Sequence, residues 1–117
     1  MEKVLNQQEI DVMAGRCYTE LGRAKRAESL LTNAIASYDP TFVRENSLYL
    51  SWLAEDYVQL SEIDQAVDIA TEALILASRT NSARTDERLR HLAKLLKPHK
   101  SSPKVAEFLD LYRSVTD

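Results

Sequence analysis

Few side chains in this sequence are of the kinds that do chemistry, and their spacing argues against a reaction centre. His91 and His99 stand eight positions apart with Pro98 between them, and neither has a cysteine or carboxylate at metal-ligand spacing. No metal ligand set is expected. Cys17 is the single cysteine. It falls on the apolar stripe expected of the first helix, which predicts a buried thiol rather than a nucleophile. There is no glycine-rich phosphate loop, no nucleophile beside a base, and no pair of acids patterned for a cleft. The expectation is therefore a non-enzymatic chain with no catalytic residue and no cofactor.

Charge is the next chemistry to weigh. The net charge of −3 hides a polarised distribution. Residues 1–78 hold 6 Lys/Arg against 13 Asp/Glu, whereas residues 79–104 hold 8 against 2. The basic stretch (Arg79, Arg84, Arg88, Arg90, Lys94, Lys97, Lys100, Lys104) lacks interleaved aromatics and is interrupted by Asp86 and Glu87. A solvated helix face, or a contact for an acidic partner, fits it better than a nucleic-acid site. No direct nucleic-acid binding is expected.

The elements that must position these groups follow from composition and period. Two Gly and three Pro in 117 residues are too few for the tight turns of a β-sandwich or barrel. Leu and Ala lead the apolar set, and both favour helix. The class is all-α, one domain over 1–117. No apolar run approaches the roughly 18 residues of a membrane span, and Met1–Asn6 has no signal-peptide core. With one unpaired cysteine, a cytoplasmic setting without membrane contact is the default expectation.

Apolar residues at 3–4 spacing predict six helices, at about 7–21, 24–38, 41–60, 62–79, 83–97 and 103–115. The first is expected to turn Ile10, Ala14, Cys17, Tyr18 and Leu21 inward, with Asn6 and Glu9 as a capping box and Gly22 as its stop. Asp39-Pro40 is read as cap and first residue of the third helix, and Ser61 with Asp64 as the capping box of the fourth. Asn81-Ser82 breaks the chain again, Pro98 ends the fifth helix, and Ser102-Pro103 starts the sixth. Links this short make consecutive helices antiparallel neighbours, giving hairpins at about 7–38, 41–79 and 83–115.

One constant step along the chain, the step from Tyr18 to Tyr57, recurs from Tyr57 to Leu96. The same step maps Ala14 onto Leu53 and Leu92, Ala27 onto Ala66, and Ala34 onto Ala73. Two hairpins register fully and the third in its first helix. The order Ala14-Gly15-x2-Tyr18, Ala27-x3-Leu31, Ala34 and Pro40, then Leu53-Ala54-x2-Tyr57, Ala66-x3-Ala70 and Ala73, resembles the tetratricopeptide repeat. The step is longer than that family's period of roughly 34 residues, and neither opening tryptophan position holds Trp. Ala27-Glu28-Ser29-Leu30-Leu31, Arg44 to Leu50 and Ala66 to Ala70 also resemble the C-terminal repeats of actinobacterial helix-turn-helix regulators. No DNA-binding unit fits before Asn6, so that family's DNA function is not expected to transfer.

What the resemblance implies is a right-handed superhelix of stacked hairpins whose first helices line a concave groove for a protein or peptide. Mapped by the repeat step, the groove positions are Val12, Ser51 and Arg90; Arg16, Glu55 and Lys94; Thr19, Val58 and Lys97. Arg16, Glu55 and Lys94 are expected to form a ladder across adjacent helices, and Trp52, the only tryptophan, is a candidate anchor. Asp56 takes the inward position of Cys17 and Leu95, which predicts a hydrogen-bonded buried carboxylate. Phe108 and Leu111 are expected to leave apolar surface on the last helix, so a second copy is also a candidate partner. The alternative function is a ligand-sensing or dimerisation fragment of a transcriptional regulator.

Overall fold

The 3–4 periodicity is realised as six α-helices in a computed structural model that describes residues 7–116. They are α1 (Gln7–Glu20), α2 (Ala24–Ala36), α3 (Val43–Gln59), α4 (Ile63–Ala77), α5 (Ala83–Leu96) and α6 (Pro103–Thr116). A short 3-10 turn, Lys97–His99, follows α5. No strand occurs among the described residues. The expected Asn6 cap lies outside them. The particle measures 50 × 29 × 19 Å.

Gly22 ends α1 and Pro103 opens α6 as expected, but two other links use different local chemistry. Gly22 has φ +75° and Ser61 has φ +61°, and one repeat step separates the two. Each closes its helix with the same pair of bonds. Gly22 N–H donates to Thr19 O at 3.0 Å and Arg23 N–H to Tyr18 O at 2.8 Å; Ser61 N–H donates to Val58 O at 3.0 Å and Glu62 N–H to Tyr57 O at 2.9 Å. These are Schellman closures, in which a left-handed residue satisfies carbonyls that the helix end would leave unpaired. Ser61 thus ends α3 instead of capping α4, whose cap is Glu62. Asp39 is likewise not a helix cap. Its carboxylate accepts from Thr41 N–H and Thr41 Oγ1 at 2.9 Å, a turn that delays α3 to Val43. Those bonds hold the Asp39 carboxyl below its usual range. Ser82 does cap α5, accepting from Thr85 N–H.

Burial follows the repeat register where the second helix of each pair crosses closely. Ala27, Ala66 and Val105, equivalent positions of α2, α4 and α6, are all fully buried. The register therefore reaches the last helix, where a valine in place of alanine hides it from inspection. The larger core cluster runs from Leu50 and Ala54 through Ala66, Val67 and Leu74 to Leu89, Leu92, Leu96 and Phe108. A smaller one joins Val12, Leu31, Ala34, Trp52 and Leu53. Phe108 is buried, so only Leu111 of the two residues expected to leave apolar surface does so.

Helix α1 departs from expectation. Its buried residues are Val12, Gly15 and Thr19, while Ile10, Met13 and Leu21 are 45%, 55% and 70% exposed and Cys17 is exposed too. The expected inward stripe lies largely on the outer face. The cause is close packing on α2. A Cβ built on Gly15 would come within 2.8 Å of Leu31 Cγ, so α1 approaches by its smallest residue and its phase is set there. In the contacts between helices, α3 packs against both α1 and α2, and α5 against both α3 and α4; α6 lies mainly on α4.

Candidate functional site

Three helices meet at Trp52. Its ring, on α3, is almost wholly buried. The Arg88 guanidinium of α5 lies over it, 3.6 Å from the ring centroid, and the Arg16 guanidinium of α1 lies 5.1 Å away. An aromatic face attracts a cation through its quadrupole, more strongly where water is excluded. Arg88 is fixed by further bonds. Its Nε donates to Ser51 Oγ at 3.2 Å, and its Nη2 donates to Ser51 O at 3.3 Å and to Glu55 Oε1 at 2.7 Å. The Arg88 and Glu55 side chains retain 14% and 13% exposure, so this pair is screened less than a surface pair. His91 Nε2 lies 3.3 Å from the same Glu55 oxygen, and Gln59 reaches the other oxygen at 3.5 Å.

Above this floor is a cleft of about 350 Å³ lined by Arg16, Leu48, Trp52, Arg84, Glu87, Arg88 and His91. It shares Arg16, Leu48 and Arg84 with a second cleft of about 500 Å³ that extends past Val12, Tyr38 and Tyr49. Together they run across α1, α3 and α5. Two buried donors have no hydrogen-bond partner among the described residues, Trp52 Nε1 and Arg16 Nε, and both belong to lining side chains. Arg16 and Arg84 form no ion pair among the described residues.

A second polar cluster lies beneath, between α1 and α3. Asp56 is fully buried. Thr19 Oγ1 stands 2.5 Å from Asp56 Oδ1 and 3.1 Å from Gly15 O, while Asp56 Oδ2 has no partner among the described residues. Burial pushes the Asp56 carboxyl up to about 7, and the neighbouring Glu55 and Glu28 add to the rise. The Thr19 hydrogen bond and Arg88 oppose it. Gln59 Nε2 donates to Thr19 O at 3.0 Å, and Tyr57 OH donates to Glu28 Oε2 at 3.0 Å, adding α3-to-α1 and α3-to-α2 ties.

The expected site residues separate into three groups. Arg16, Ser51, Trp52 and Glu55 come together at the floor, with Ser51 buried beneath Arg88. Val12 and Thr19 are buried, the first in the smaller core and the second on Asp56, and Val58 is half-buried against the larger core. Arg90, Lys94 and Lys97 line a different cleft, between α5 and α6. The ladder of Arg16, Glu55 and Lys94 does not form, because Glu55 pairs with Arg88 and His91. The repeat step equates positions but does not bring them into contact. Each helix turns one flank to its predecessor and the opposite flank to its successor, so partners are offset along the axis. Arg84, Arg88 and His91 form an i, i+4, i+7 stripe beside buried Thr85, Leu89 and Leu92, and that spacing was the available signal.

Among the described residues no three His, Cys, Asp or Glu side chains gather as a metal site, and no helix is long and apolar enough to cross a membrane. No protein-family model matches the chain, and no curated protein or solved structure matches it either.

Proposed function

We propose that the chain is a tetratricopeptide-like stack of helix pairs, α1–α2 and α3–α4 followed by α5 and α6, that binds a protein or peptide ligand in the channel of α1, α3 and α5. The observation that carries this reading is the pair of buried donors without partners, Trp52 Nε1 and Arg16 Nε, in side chains that line one cleft. Native interiors rarely leave such groups unsatisfied, because each costs on the order of 1–3 kcal/mol. A peptide carbonyl or carboxylate oxygen at the cleft floor would satisfy them. The order of helix contacts, α1 to α3 to α5 with α2 and α4 behind, supports the stacked-pair architecture.

Trp52 is the only tryptophan, so it reports on its own site. The test is a screen of an immobilised library of short peptides, followed by titration of hits against Trp52 fluorescence. Hits should shift the emission and lose affinity at least about tenfold in Arg16→Ala, the loss of roughly 1.4 kcal/mol. Hits indifferent to Arg16→Ala and Arg84→Ala, with unchanged emission, would sink the proposal.

A further inference from the structure

Each first helix after α1 seats on the pair before it. Helix α3 does so through Tyr49, which meets the Tyr38 ring edge-on at 5.2 Å, through Trp52 beside Arg16, and through Asp56 against Thr19. Helix α5 does so through Arg88 and His91 on Glu55. Moved back by one repeat step, the α3 docking residues Tyr49, Trp52 and Asp56 become Ile10, Met13 and Cys17 of α1, and Leu21 just past the helix end continues the same face. This is the apolar stripe that α1 leaves exposed. It is a docking face with no pair behind it among the described residues.

At the other end, α5 and α6, which touch each other only slightly, have no helix seated across them among the described residues. Moved forward by two repeat steps, the receiving residues Val12, Arg16 and Thr19 become Arg90, Lys94 and Lys97. These three line a cleft of about 460 Å³ between α5 and α6, with Ala93, Ala106, Leu109 and Tyr112 as a half-buried apolar floor. Lys100 and Arg113 complete a cationic rim against one acid, Asp110. The flanks of the α1 stripe have the opposite sign. They carry Asp11 and Glu20, while the helix's one cation, Arg16, is turned onto Trp52.

We infer that chains associate head to tail, the exposed stripe of α1 in one copy seating in the α5–α6 cleft of the next. Apolar stripe meets apolar floor, and the acidic flanks meet the basic rim. The two faces are different surfaces of the same molecule, so the contact is heterologous and leaves a free face at each end for another copy. Met13 also lines the edge of the channel of α1, α3 and α5, while Ile10, Cys17 and Leu21 lie outside it, so the contact leaves the Trp52 floor open.

The test uses the whole chain. Weight-average mass by sedimentation equilibrium should rise at least about twofold between low and high micromolar protein, since an open contact adds copies by mass action. The rise should shrink at about 0.5 M salt, where charges more than a few ångströms apart are screened. Met13→Lys with Leu21→Lys, both at exposed sites, should hold the chain monomeric with its helical circular dichroism intact. Cys17 gives the geometry. The Thr19–Asp56 contact, transposed to the new junction, places Lys97 of one copy against Cys17 of the next. A Cys17→Ser, Lys97→Cys chain mixed with the wild type and given oxidised glutathione as the oxidant should form a mixed disulfide faster than either forms with itself. A chain that stays monomeric at high micromolar concentration overturns the inference. So does preferential Cys17–Cys17 linkage, which would mean that the α1 face pairs with its own kind.

Discussion

Thr19 and Asp56 meet at 2.5 Å across the α1–α3 contact, with neither side chain open to solvent. Thr19 has one hydroxyl proton and two acceptors in reach, Asp56 Oδ1 and Gly15 O. The hydroxyl donates to Asp56 Oδ1, a bond that favours the ionised acid and opposes the rise that burial imposes. Burial raises this carboxyl to about 7, from about 3.9 in an unfolded chain. Between those values the folded state holds a proton that the unfolded state has lost, so stability falls as pH rises. The stabilising contribution is complete below about pH 4 and gone above about pH 7. In urea titrations Asp56→Asn should be more stable than wild type at pH 8, by on the order of a few kcal/mol, with the gap closing at pH 5. A pH-independent difference would show that Asp56 does not titrate in this range.

Ser61 occupies the left-handed conformation that Gly22 holds one repeat earlier. A residue with a Cβ is strained there by about 1–2 kcal/mol. Ser61→Gly should therefore stabilise the chain by about 1 kcal/mol, and Gly22→Ala should destabilise it by a similar amount. Thermal melts of the two single variants, shifting in opposite directions, check both.

Gly15 and Leu31 set how closely α1 approaches α2. Leu31 is fully buried and cannot swing away from an added methyl group. Gly15→Ala would gain helix propensity on an exposed helix, about 1 kcal/mol. Here overpacking should outweigh that gain and leave a net loss of about 1–2 kcal/mol. Chemical denaturation decides the sign.

Arg88 and Glu55 should be energetically coupled. Their bond is charge-assisted and partly shielded, which places the interaction above the roughly 0.2–1 kcal/mol of exposed pairs. A double-mutant cycle on Arg88→Ala and Glu55→Ala should return about 1–2 kcal/mol. The same cycle on Arg16 and Glu55 should return close to zero, because no ion pair joins them.

The helical class and the core of α4 are readable because size and burial agree there: Ala66, Val67, Ala70, Ala73, Leu74 and Ala77 all face inward. Helix α1 misleads because both of its faces keep 3–4 spacing. The larger side chains of Ile10, Met13 and Leu21 win any count by hydropathy, yet the steric demand of Leu31 selects the face with Gly15. At the site, Trp52, Arg16 and Glu55 are recognisable from residue type and repeat position. Arg88 and His91 are not, since the axial offset between neighbouring helices is a property of packing. Ser61 reads as a cap because its type suits one, whereas the left-handed backbone that glycine marks at Gly22 is carried here by a residue that does not announce it.

The two core clusters give the groove a temporal side. Helix α1 contributes one buried aliphatic side chain, Val12, to the smaller cluster and none to the larger. Its other inward groups are Gly15 and Thr19. Low apolar burial is the mark of segments that open locally without global unfolding. Local opening of α1 would part Arg16 from the Trp52 ring and Thr19 from Asp56 and leave the Ala66-to-Phe108 core intact, so hydrogen exchange in α1 should outpace that in α4.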